Sequence, residues 1–159
     1  MIIRRLEQAV LGVIGALFLF FVAAMFLQVI LRYGFSHSLG WVDELSRYAF
    51  IWLVFLAAAA AARHGTHIAI TIIEDLVAPS MRRGLMILAD LMLIAFAVLV
   101  GYGGYQLMQL NWTTTSPASG LPIAWVQLIL PLFGILTALF AIAHLWQIAR
   151  TSSTGPDRG

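Results

Sequence analysis

Arg32-Tyr-Gly-Phe-Ser-His-Ser-Leu-Gly-Trp-Val-Asp-Glu-Leu-Ser-Arg-Tyr-Ala-Phe-Ile-Trp52 is the stretch whose reading decides the fold. It gathers Arg32, His37, Asp43, Glu44 and Arg47 between two long apolar runs, Leu11 to Leu31 before it and Ala49 to Ala62 after it. A helix beginning near Leu39 sets Asp43 and Arg47 four residues apart on one face, with Glu44 and Tyr48 as a second such pair. Glu44 also lies three residues from Arg47. Trp41, Leu45, Tyr48 and Trp52 form an aromatic-rich stripe on the same surface. Both acids fall in the first turns, where the positive end of the helix dipole favours them. The stretch reads as the wet end of a membrane helix that carries its own charge cluster. One use of such a cluster is an interfacial anchor, with Trp and Tyr at headgroup level; the other is a docking surface for a second protein. Aromatic belts are the commoner use, so spacing alone favours the anchor.

Composition agrees with a membrane setting. Of 159 residues, 62% are hydrophobic and 10% charged, and the mean hydropathy is +0.95. Soluble domains carry about 25% charged residues. The formal charge of +2 rests on arginine alone, because the chain contains no lysine. That excess is too small and scattered for a nucleic-acid surface and reads as topology instead. With no cysteine, disulfides and thiolate chemistry are excluded. Met1-Ile-Ile-Arg-Arg before an apolar run resembles a signal peptide, but the run is long and further spans follow, so it reads as a retained first helix.

Outward from the opening stretch, the expected spans are Leu11 to Leu31, Leu45 to Ala62, Leu85 to Leu110 and Ile123 to Ile148. Span two ends in six alanines, Ala57 to Ala62, which present almost no side chain and let another helix approach. Arg63-His64-Gly65-Thr66-His67 breaks the apolar pattern. Ile68 to Ala78 then reads as a short amphipathic helix lying on the membrane surface and ended by Pro79. In span three, Ala97, Gly101 and Gly104 are small residues suited to close helix packing. Asn111 to Pro122 is an uncharged loop. Pro131 kinks span four and frees the carbonyl of Gln127. The fold class is therefore an all-α integral membrane protein of four transmembrane helices plus short interfacial amphipathic helices. Residues 1–150 form a single membrane domain, and 151–159 form a polar, disordered tail.

Arginine placement sets the orientation. Arg4, Arg5, Arg63, Arg82, Arg83, Arg150 and Arg158 fall on the side of the N-terminus, and only Arg32 and Arg47 on the other. Both termini are thus expected in the cytoplasm. Haem is disfavoured, because His37, His64 and His67 lie in loops and His144 near the end of span four rather than facing one another within a bundle. No Gly-rich phosphate loop, metal-spaced cluster or activated nucleophile appears, so neither catalysis nor a cofactor is expected. Asp90 is the one acid inside a span, about 8 Å from its start. An intramembrane acid is a functional candidate by default; its shallow depth and the nearby Arg82 and Arg83 favour a structural partner. The broken-helix pair typical of a transport site is missing, and the chain reads as an accessory subunit.

The order of these features resembles the small membrane subunit of tripartite ATP-independent periplasmic (TRAP) transporters, the DctQ-like family. The resemblance rests on Leu31-Arg32-Tyr33-Gly34-Phe35, on Trp41 to Tyr48 and Trp52 to Leu56, on Arg63 to Ile68, and on Ser116 to Pro122 leading to Trp125 and Pro131. It covers about Leu11 to Ala149. The family often has two Glu where this chain has Asp43 and Glu44, and a charged residue where it has Ala69-Ile70-Thr71. The resemblance implies a bacterial inner-membrane scaffold that uses no ATP. Its partners would be a large multi-span DctM-like subunit holding the substrate and sodium sites, a periplasmic solute-binding protein delivering an organic acid, and membrane lipids. It also tips the opening stretch towards docking, with Arg32, Trp41, Asp43, Glu44, Arg47, Tyr48, Gly101 and Gly104 as subunit-interface candidates. The alternatives are a free-standing membrane assembly factor or a small proton-linked transporter using Asp90.

Overall fold

The computed structural model describes residues 2–35, 39–73 and 79–151, with side chains at 5–35, 39–62, 81, 84–146 and 148. Within these the chain is almost wholly helical: α1 (Ile2–Gly34), α2 (Gly40–Ile73), α3 (Pro79–Leu110), a single turn α4 (Ala124–Gln127) and α5 (Ile129–Thr151). Four helical stretches are long and apolar enough to cross a membrane, at Arg5–Gly34, Gly40–Ala62, Gly84–Leu110 and Ala124–Trp146.

Local chemistry accounts for most of the boundaries. The Leu39 carbonyl accepts the first amides of α2, from Val42 at 3.0 Å and Asp43 at 3.4 Å. Asp43 then sits in the first turn, where the helix dipole favours an acid. Pro79 opens α3, a position where a missing N–H costs nothing. Asn111 closes α3 by donating both its backbone N–H and its side-chain amide to the Leu107 carbonyl, at 3.1 and 3.0 Å. The fourth span is interrupted at Leu128. Pro131 cannot donate to the Gln127 carbonyl, and the break falls beside that lost bond.

One boundary differs from the sequence reading. The helix expected to end at Ala62 continues as α2 to Ile73, through Arg63-His64-Gly65-Thr66-His67. Hydropathy falls at Arg63, but nothing there prevents helical backbone bonding, so the helix outlasts its apolar part. Pro79 starts the next helix instead of closing a separate surface helix, and residues 74–78 of that expected helix lie outside the described residues.

In the bundle α5 lies between α3 and α2, and α1 packs chiefly on α2. Val10, Leu56, Ala59, Ala60, Ile129, Phe133, Leu136 and Phe140 form the buried core. Phe55 meets the Phe133 ring edge-on at 5.4 Å. The α3–α5 contact is closer still. A Cβ added at Gly134 would lie 2.6 Å from the Ala97 carbonyl oxygen, and one added at Gly104 would overlap the Leu130 side chain. Gly101 meets the Gly134 Cα at 3.5 Å from the same ideal position. The small residues of span three thus serve helix packing within this chain.

Candidate functional site

Two polar groups stand out in this apolar bundle, one at each end. The first is built on the N-terminal turns of α2. Ser46 is buried and donates its hydroxyl to the Val42 carbonyl at 2.7 Å, which satisfies it within the helix. Glu44 and Tyr48, one turn apart, face the loop between α3 and α4. The Tyr48 hydroxyl donates to Glu44 Oε1 at 2.6 Å and lies 2.8 Å from Ser116 Oγ, whose own proton completes that contact. The Ser119 backbone N–H donates to Glu44 Oε2 at 2.7 Å. Both carboxylate oxygens are therefore occupied, and Glu44 and Ser116 are buried.

The loop is shaped to offer these donors. Thr115 and Pro122 form an antiparallel bridge, and Ser116 N–H reaches the Leu121 carbonyl at 2.9 Å. Gly120 N–H returns to the Ser116 carbonyl at 2.9 Å. Gly120 adopts φ +70, a left-handed conformation that glycine takes without a Cβ penalty. The closed turn rests on the start of α2, where an ideal Cβ at Gly40 would be in ordinary contact with Ala118 at 3.7 Å.

The remaining charges of this end face outward. Arg47 and Asp43 pair at 3.5 Å with side chains 65% and 56% exposed. Trp41, Tyr33 and Phe35 are exposed large apolar side chains, and Arg32 is exposed as well. The charge network expected of Arg32, Asp43, Glu44 and Arg47 is thus divided. Glu44 turns inward to the loop, while Asp43 and Arg47 pair on the surface. His37 lies outside the described residues.

The second group lies towards the other end, between α3 and α5. Asp90 is fully buried, and its Oδ2 lies 2.7 Å from His144 Nδ1. Among the described residues its Oδ1 has no hydrogen-bond partner. The described partner is the imidazole of α5; the side chains of Arg82 and Arg83, expected near Asp90, lie outside the described residues. His144, set aside in the sequence as a poor haem ligand, has a structural use. Its signal was depth: Asp90 follows the start of its span by about two turns, and His144 precedes the end of the antiparallel span by two residues.

Gly101 and Gly104 fall in neither polar group. They meet Pro131, Gly134 and Leu130 of α5, so their bare faces are used inside the bundle. Ser116, Ser119 and His144 were missed by sequence reasoning because each acts across 54 to 75 residues of chain.

Residues 21–151 match the family described as the DctQ component of tripartite ATP-independent periplasmic transporters. A putative TRAP transporter small permease protein of Haemophilus influenzae is 34% identical over 121 residues, 76% of this chain and 75% of that one. The ectoine TRAP transporter small permease protein TeaB of Halomonas elongata is 32% identical over 114 residues, 70% of this chain and 59% of that one. The isethionate TRAP transporter permease protein DctMQ of Oleidesulfovibrio alaskensis is 32% identical over 99 residues, 60% of this chain but 16% of that one.

Proposed function

The chain belongs to the DctQ-component family of tripartite ATP-independent periplasmic transporters, and from that premise we propose that it scaffolds a large DctM-like subunit in sodium-coupled uptake of an organic acid delivered by a periplasmic binding protein. It is a small TRAP permease subunit with four candidate spans. The large-subunit partner is supported by the relative named DctMQ, in which the matched region is a minor part of one longer permease chain. The relatives named for ectoine and for isethionate carry chemically different solutes under similar small-subunit sequences. That supports placing solute choice in other chains.

The observation that carries the scaffold reading is the fixed loop on α2. Glu44, with both oxygens bonded, holds the loop through Tyr48 and Ser119, while Arg32, Trp41, Asp43 and Arg47 remain exposed beside it. A rigid, internally satisfied platform with an exposed charged rim suits docking, because little ordering has to occur on binding. The arginine distribution supports both termini being cytoplasmic, and on that reading this platform faces the periplasm of a bacterial inner membrane.

The test is reconstitution. Expressed with the large subunit, the chain should co-purify with it, and proteoliposomes given the binding protein and an inward sodium gradient should accumulate solute. The chain alone should insert and carry nothing. Uptake by the purified chain alone would overturn the scaffold reading in favour of proton-linked transport through Asp90. A folded chain that never associates with a larger permease would instead indicate a free-standing assembly factor.

A further inference from the structure

Between α1 and α2 runs a groove of about 260 Å³, lined by Phe21, Met25, Asp43, Ser46, Arg47 and Phe50. Its wall is aromatic and thioether, with the Phe21 and Phe50 rings 5.3 Å apart and tilted at 35°. Ser46 adds no free donor, since its hydroxyl is committed to Val42. At the mouth stand one cation and one anion, Arg47 and Asp43, one helical turn apart and both mainly exposed.

We propose that this groove binds one phosphatidylethanolamine molecule, with Arg47 on its phosphate, Asp43 on its ammonium and an acyl chain along Phe21, Met25 and Phe50.

Charge complementarity selects this occupant. Phosphoethanolamine joins an anion to a cation through a two-carbon link, so one headgroup can offer a partner to each of Arg47 and Asp43, whose charged atoms stand 3.5 Å apart. A guanidinium matches phosphate geometry well. A primary ammonium donates N–H to a carboxylate, which the quaternary ammonium of a choline lipid cannot do. An anionic glycerol headgroup would satisfy Arg47 but offer Asp43 only neutral hydroxyl donors, with no cation to offset the phosphate. The resident ion pair offers little resistance, because 3.5 Å is long for a charge-assisted bond and exposed pairs contribute little. Depth agrees as well. The pair lies within two turns of Gly40, on the helix end that carries exposed Trp41, at the level where aromatic belts meet headgroups.

The full-length chain, purified in detergent with any associated subunit retained, can be delipidated, offered phosphatidylethanolamine, phosphatidylglycerol or phosphatidylcholine, and examined by native mass spectrometry. Phosphatidylethanolamine should be retained above both others. Arg47→Gln and Asp43→Asn should each lower that retention about tenfold, the worth of one charge-assisted hydrogen bond. A photoreactive phosphatidylethanolamine incubated with the unaltered chain should label peptides containing Phe21, Met25 or Phe50, which keeps the test independent of variant folding. Equal retention of either competing lipid, retention unaffected by both substitutions, or labelling confined to other helices would each overturn the site. So would a photoreactive group placed at Met25 that couples to a partner protein's helix rather than to lipid.

Discussion

Glu44 and Asp90 are both buried carboxylates that tie distant parts of the chain together, yet they are satisfied in different ways. Glu44 has both oxygens bonded, one by a phenol and one by a backbone amide, at a helix end beside an exposed rim. Asp90 has one oxygen on an imidazole and one orphaned, inside an apolar span. The first arrangement spreads the hold of Glu44 over several partners, so loss of any one of those partners should not release the loop. The second concentrates everything on one contact in a medium where an unpaired charge is costly. The bundle therefore has a distributed clasp at one end and a single latch at the other.

The sharpest way to break that comparison is His144→Ala. It leaves Asp90 buried without its imidazole partner, and loss of one member of a buried pair costs about 3–5 kcal/mol. Thermal unfolding of the purified complex should show the largest drop of any single change named here, and the double variant Asp90→Leu with His144→Leu should recover much of it. An unchanged midpoint for His144→Ala would show that the latch carries no load.

Gly104→Ala asks whether the latch depends on the close crossing further along the same helices. The added Cβ overlaps Leu130, and overpacking of this kind costs about 1–3 kcal/mol. A disulfide-free distance probe between α3 and α5, such as paired spin labels near residues 90 and 144, should report a widened separation. If stability falls while that distance holds, the crossing and the latch are independent.

The clasp should resist single losses. Tyr48→Phe removes one hydroxyl contact and leaves the Ser119 amide on Glu44, at a cost of about 1 kcal/mol. Hydrogen exchange at Ser119 should quicken only modestly, whereas Glu44→Ala should expose that amide. Equal exchange in the two variants would remove the distinction between a distributed and a concentrated hold.

Arg47→Ala is the smallest stability change, about 0–1 kcal/mol for an exposed pair. Its value lies in transport. If uptake by the reconstituted complex falls while the unfolding midpoint is unmoved, the exposed side of this end is a docking surface; intact uptake returns it to an anchor.

Much of this architecture is legible in the sequence because one solvent change governs it. Apolar runs of spanning length locate the helices, the start of α2 follows from Leu39-Gly40 with Asp43 just inside, and Pro131 marks the break at Leu128. Helical spacing also pairs Asp43 with Arg47 and Glu44 with Tyr48, since those contacts are local. What spacing could not decide is which of two options a side chain takes. Glu44 was within reach of Arg47 and chose Tyr48 and the Ser119 amide, because a loop 75 residues away closes over it. Gly101 and Gly104 showed a face made for close approach without showing that α5 fills it. Hydropathy likewise marks where α2 leaves the apolar layer and says nothing of where its hydrogen-bonded backbone stops.

The central place of α5 bears on biogenesis. Leu56, Ala59 and Ala60 of α2 bury themselves against Ile129 and Phe133, and Ala97, Gly101 and Gly104 of α3 close on Gly134, Pro131 and Leu130. Both surfaces wait for a helix that is synthesised after them. A ribosome-bound chain that has released α1, α2 and α3 holds a paired α1 and α2 with α3 only loosely associated, because lipid tails give it no hydrophobic reason to join them. Arrival of α5 converts these into a bundle, so quality control has one assembly event to inspect. Chains cut before Ile129 present bare alanine and glycine faces to every passing helix, and those faces are what a membrane protease would find.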